Sequence, residues 1–203
     1  MHMMNDCILF QLVNYNYNCK RLSYMPHLQL LDMAIVFYRY EQDAEQHSFR
    51  YIDYTAMNEA QMTLSQMQQA AFLQTPLHMK AQFKSMNTVI GELLTEEEAA
   101  REEMLHDNVQ IPMYVISNEM RTFGAACILY PGMMDTIAEM FPDGFYILPS
   151  SIHECIIVPM SAAYSQQELN EMVRTVNETQ VAPPEILADC AYQYDSSLRE
   201  IVY

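Results

Sequence analysis

Apolar residues fall in short continuous runs over the first forty positions, and such runs read as strands. Residues 8–13 (ILFQLV) and 33–38 (MAIVFY) are nearly unbroken, and the second, β-branched and aromatic, has the look of an interior strand. Polar residues 14–18 close the first run. Pro26 opens a short predicted helix reaching about residue 32. Residues 41–46 are polar and read as a hairpin loop, after which 49–54 (FRYIDY) alternate as a half-exposed strand does.

Helical spacing takes over next. Thr63, Leu64, Ser65 and Gln66 have capping-box spacing, in which the hydroxyl accepts from the Gln66 amide and the Gln66 side chain reaches back. Leu64, Met67, Ala70 and Ala71 then share a stripe, and Pro76 is expected to end that helix. Residues 79–94 predict another, with Phe83, Met86, Val89, Ile90 and Leu93 on one side. Thr95, Glu96, Glu97 and Glu98 repeat the capping pattern, with three carboxylates favourable to a helix dipole. A Glu-rich helix over 95–106 is expected to join the two halves as a solvated face; its sharper reading makes Glu96, Glu97 and Glu98 an interaction surface.

In the second half, residues 113–117 and 125–130 predict strands joined by a polar turn through Asn118 and Arg121. Pro131 marks a helix start, with Met134, Ile137, Ala138 and Phe141 at helical spacing. Residues 145–148 and 155–158 predict two further strands. Ser165 and Glu168 cap a last amphipathic helix with Leu169, Met172, Val173 and Val176 inward. Pro183 and Pro184 open a short helix to about residue 191. The order strand-strand-helix-strand-strand-helix, with no repeat and no long linker, predicts an α+β fold of mixed or antiparallel sheets with helices packed on them. One composite domain over 1–203 is expected, with 1–94 and 109–203 as its possible sub-domains.

Composition narrows the function. Hydrophobic residues make up 51% of 203, so the chain can fold around a core. With 4 glycines and neither G-x-G-x-x-G nor G-x-x-x-x-G-K-[ST], the usual nucleotide cradles are missing, and no cofactor is expected. A net charge of -16 disfavours direct contact with nucleic acid or an anionic membrane, while leaving a basic protein partner or DNA mimicry open. No apolar run reaches the roughly 20 residues that span a bilayer. The first residues lack the basic start of a secretory signal. Five cysteines, widely spaced and without C-x-x-C, read as free thiols in a reducing cytoplasm.

The segments PMYVISN (112–118), GAACILYPG (124–132) and YILPSSIHE (146–154), with Leu12, Val13, Asn14, Tyr15 and residues 31–38 ahead of them, resemble an uncharacterised bacterial family, a domain of unknown function. Residues 177–181 and 192–195 fit the same pattern. The resemblance covers nearly the whole chain. Similar proteins usually carry extra sequence ahead of Leu12, which makes this chain a candidate shortened member. The resemblance implies a bacterial cytosolic protein and brings no activity, cofactor or catalytic residue.

Candidate chemistry centres on Ser150, Ser151, Ile152, His153 and Glu154. A nucleophile needs a base within hydrogen-bond reach and a group orienting that base. In an extended segment Ser151, His153 and Cys155 share one face, about 6 to 7 Å apart, and Glu154 points away. The plainer reading is a polar hairpin turn. The sharper one is a hydrolase using Cys155 or Ser151 with His153. His153 and Cys155, joined by Cys127, form a weak metal candidate; H-x-C alone seldom marks a site. Arg121 is a candidate anion clamp, or simply the partner of a surface acid. The 18 methionines are core filler or, in the sharper version, a groove for an amphipathic helix. The favoured expectation is a non-catalytic, acidic cytosolic protein acting by protein-protein contact.

Overall fold

The structure, a computed structural model, describes residues 7–42, 47–94 and 112–203. The Glu-rich segment, with Glu96, Glu97 and Glu98, lies outside the described residues, as do residues 43–46 of the expected hairpin loop.

Two antiparallel sheets carry the fold, so the α+β expectation holds. In the first, β1 (Cys7–Asn14) pairs along β3 (Met33–Gln42) from Cys7↔Tyr40 to Asn14↔Met33. The far edge of β3 is shared by β2 (His27–Leu30) and β4 (His47–Tyr51). The second sheet runs β10-β9-β7-β8-β6-β5, formed by β5 (Ala81–Ser85), β6 (Tyr114–Asn118), β7 (Phe145–Ser151), β8 (Glu154–Pro159), β9 (Tyr192–Asp195) and β10 (Glu200–Val202).

Local chemistry sets several helices. Asn14 caps α1 (Tyr15–Leu22) by accepting from the Tyr17 amide at 2.8 Å, so the polar segment after the first strand is helical. A short α2 (Tyr54–Glu59) follows, capped by Asp53. Both expected capping boxes form, at Thr63 on α3 (Leu64–His78) and at Ser165 on the late helix Gln166–Thr179. Between them lie α4 (Met86–Leu93) and α5 (Met133–Met140); the late helix is α6.

Several expectations are corrected. Residues 27–30 pair with β3 instead of coiling into a helix; the tight turn Leu31-Asp32 returns the chain, with Leu31 left-handed at φ 55°. Residues 79–94 split into β5 and α4. Phe83 pairs with Ile116 across the sheet, and helical spacing in so short a stretch could not reveal that pairing. Pro76 stays inside α3, in its last turn, where only one ladder bond is lost. Residues 124–129 form a 3-10 helix, not a strand. A continuous buried apolar run has no period to separate the two. After Pro183 there is only one 3-10 turn, Pro183–Glu185.

One apolar cluster joins the sheets. Phe10, Leu12, Ile35 and Phe37 from the first meet Ile116, Ile147, Cys155, Ile157 and Tyr192 from the second, with Ala125, Ala126, Cys127 and Ile128 of the 3-10 helix in the same cluster. α3 closes it with Met67 and Ala71. This arrangement puts the residue 118–124 loop directly against the β7–β8 turn.

Candidate functional site

The β7–β8 turn is built by a break in register. Pairing shifts between Leu148 and Ser151, where Pro149 can offer no ladder donor. The turn that follows is held from three sides. Ile152 N–H donates to Glu185 O at 2.9 Å, and Ile152 O accepts from Ala125 N–H at 3.3 Å. Ser117 Oγ donates to His153 O at 2.7 Å.

His153 is half-buried and both of its ring nitrogens face protein. Phe123 N–H donates to Nδ1 at 3.3 Å, which assigns the proton of the neutral ring to Nε2. Nε2 lies 3.6 Å from Glu185 Oε1. The Phe123 ring stacks on the imidazole with centroids 6.0 Å apart. Phe123 adopts a left-handed φ of 56°, and Asn118 braces its loop by bonding both N–H and C=O of Thr122. Gly124 is forced by space: a Cβ there would lie 2.2 Å from Ser117 Oγ and 2.5 Å from His153 O.

The sequence candidates therefore do not converge. Ser151 Oγ accepts from the His153 amide at 3.0 Å and makes no bond to the ring. Cys155 is fully buried, with burial pushing its thiol pKa well up. Cys127 is buried too; its Sγ donates to Ser117 O at 3.2 Å, and burial raises its pKa to about 12. Glu154 borders a tiny cavity of about 20 Å³ beside Ser117 and Arg121, away from the His153 ring. Among the described residues, no three His, Cys, Asp or Glu side chains gather as a metal-binding group. Arg121 is occupied: its Nη2 lies 2.9 Å from Glu92, which also meets Lys84 at 2.6 Å. The hydrogen bond from Lys84, then the charges of Lys84 and Arg121, hold the Glu92 carboxyl below its usual range.

A larger feature escaped the sequence. An open cleft of about 580 Å³ lies between the β2–β3 turn, the start of α5 and the β9–β10 turn, with Leu30, Leu31 and Met134 among its apolar lining. At its polar end Asp135 accepts from Tyr194 Oη at 2.6 Å and from both the Nε and Nη2 of Arg199. Leu31, Gly132 and Arg199, all on the lining, have left-handed backbones. Asp135 and Arg199 are 64 positions apart, and neither carries a motif.

Among the described residues, no helix is long and apolar enough to cross a membrane. No curated protein and no solved structure matches the chain. A family model matches residues 1–196, in keeping with the resemblance to an uncharacterised domain family: the chain belongs to the family of unknown function DUF5688.

Proposed function

We propose that the chain is a non-catalytic, acidic cytosolic protein of bacteria that works as one composite unit through protein-protein contact. The carrying observation is the outward face of α3. Leu73 and Leu77, one turn apart, are 70% and 67% exposed on a helix with no Asp, Glu, Lys or Arg. The opposite face of the same helix is already buried through Met67, Ala71 and Thr75. The last turns of this helix, apolar on both sides, have a second surface to cover. With a net charge of -16, the complementary occupant is a basic amphipathic helix of another protein, not nucleic acid.

The hydrolase reading with Ser151 or Cys155 and His153 lacks support from the geometry. The hydroxyl turns to its own hairpin and the thiol is sealed in the core. Labelling by serine- and thiol-reactive probes should be unchanged in His153→Ala; labelling that depends on His153 would revive it.

The contact itself is tested with a synthetic Leu/Lys amphipathic helix as probe, followed by calorimetry. Wild type should bind, with affinity falling as salt rises. The pair Leu73→Ser and Leu77→Ser should weaken binding about tenfold or more while leaving the thermal melt in place. No binding by wild type, or binding indifferent to both substitutions, overturns the reading.

A further inference from the structure

Cys7 and His78, 71 positions apart, meet where β1 begins and α3 ends, with Sγ 3.2 Å from Nε2. The thiol is enclosed while its imidazole partner is exposed. Tyr40 sits directly across the ladder from Cys7 and packs edge-on against the His78 ring at 5.9 Å. Its phenol bonds His47 Nδ1 at 2.7 Å. Among the described residues, the titratable groups packed round the pair are thus Tyr38 and Tyr40 from β3 and His47 and Tyr51 from β4. Burial, then the neighbouring Cys7 sulfur, raise the Tyr40 pKa, so that wall stays neutral.

His78 lies in the last turn of α3, so the end of one element holds it against the start of another. An imidazole within hydrogen-bond reach of a thiol can take its proton and leave the thiolate, the form that reacts. The other four thiols lack this arrangement: Cys127 and Cys155 are sealed in the core, Cys19 is exposed on α1, and Cys190 is half-buried beside Tyr192 and Asp32.

We propose that Cys7 and His78 form a nucleophile–base pair and are this chain's site of mixed-disulfide formation with low-molecular-weight disulfides. The proton of Cys7 passes to His78, and the thiolate attacks one sulfur of the incoming disulfide. A bond forms from Cys7 Sγ to that sulfur as the original S–S bond breaks. The departing thiolate takes the proton back from His78, so atoms, charge and electrons balance.

The test uses the intact native chain with 4,4′-dithiodipyridine as a neutral probe, reading release of the thiol product and mapping the labelled cysteine. The first equivalent should fall on Cys7, and Cys7→Ser should abolish that phase. His78→Gln should slow Cys7 about tenfold near neutral pH and move its half-maximal rate upward by about one pH unit. Cys19 in the same sample is the internal control and should react at an unchanged rate, and a thermal melt confirms that each variant folds. Labelling of Cys19 first, with Cys7 silent until denaturant is added, overturns the proposal. So does a Cys7 rate in a folded His78→Gln chain that equals wild type.

Discussion

The buried phenol of Tyr192, in β9 of the second sheet, donates to the carboxylate of Asp32 at the β2–β3 turn of the first. The same turn is gripped through its backbone, because Asp32 O accepts from Tyr15 N–H at 2.8 Å. Nearby, Asn14 Nδ2 donates to Leu187 O at 3.1 Å. Polar bonds as well as apolar contact therefore tie the early sheet to the end of the chain. Tyr192→Phe keeps the ring and removes the donor, leaving an acceptor without its partner. It should cost about 1–3 kcal/mol in chemical denaturation, and a loss under about 0.5 kcal/mol would show that water replaces the bond.

Alkali should unfold this protein early. Burial raises the pKa of Cys127 to about 12 and raises those of Cys155, Tyr38, Tyr130 and Tyr192, so all five groups hold their protons longer in the folded chain. Unfolded, the thiols ionise near 9.0 and the phenols near 10.0. Their contribution is complete below those values and is lost as pH rises from them toward the higher folded values. Urea denaturation should report a fall of about 3–6 kcal/mol between about pH 9 and about pH 10.5. A flat profile across that window would mean that these groups are reached by solvent in the folded state.

Elements written in local chemistry were legible in the sequence. The capping boxes at Thr63 and Ser165 involve residues three apart, so their outcome depends on nothing distant. The polar turn at Ser151–Glu154 was legible for the same reason. What escaped needed partners the sequence does not juxtapose. Residues 27–30 became a strand because β3 was there to pair with, and 81–85 because β6 was. The buried run 124–129 had no polar face by which to declare its period. The environment of His153 was invisible for the same reason: Ser117, Phe123 and Glu185 arrive from three separate elements. The cleft beside Asp135 depends on a fold-level meeting of two turns and a helix start.

Gly124→Ala should be among the most damaging single-methyl changes in the chain. The new Cβ would lie 2.7 Å from the Asn118 amide nitrogen as well as against Ser117 Oγ and His153 O. Two of these three atoms are backbone in braced segments, so rotamer change alone cannot relieve the clash. A loss of about 3 kcal/mol is expected, with His153 ring signals shifting in NMR spectra as Phe123 moves. Ser117→Ala, which removes the donor to His153 O without adding bulk, should cost about 1 kcal/mol. If the alanine at 124 proves as mild as the one at 117, the tight contact of these two loops is wrong.

The rim of the cleft makes the last prediction. The hydrogen bonds from Arg199, then that from Tyr194, hold the Asp135 carboxyl below its usual range. A depressed folded value means that the bond stabilises the fold above the unfolded carboxylate pKa, near 4, and is lost as pH falls through the lower folded value. Arg199→Gln removes the cation while keeping a polar side chain of similar reach. Following the Asp135 carboxyl carbon by NMR, its midpoint should rise toward the ordinary range, and Tyr194→Phe should move it in the same direction by less. Arg199 is itself strongly exposed and holds a left-handed backbone at φ 56°, so glycine at this position would relieve strain as well as remove charge. Arg199→Gly should therefore raise the Asp135 midpoint as Arg199→Gln does, yet melt at a higher temperature than that variant. Equal melting of the two would show that the turn between β9 and β10 adopts its shape without strain.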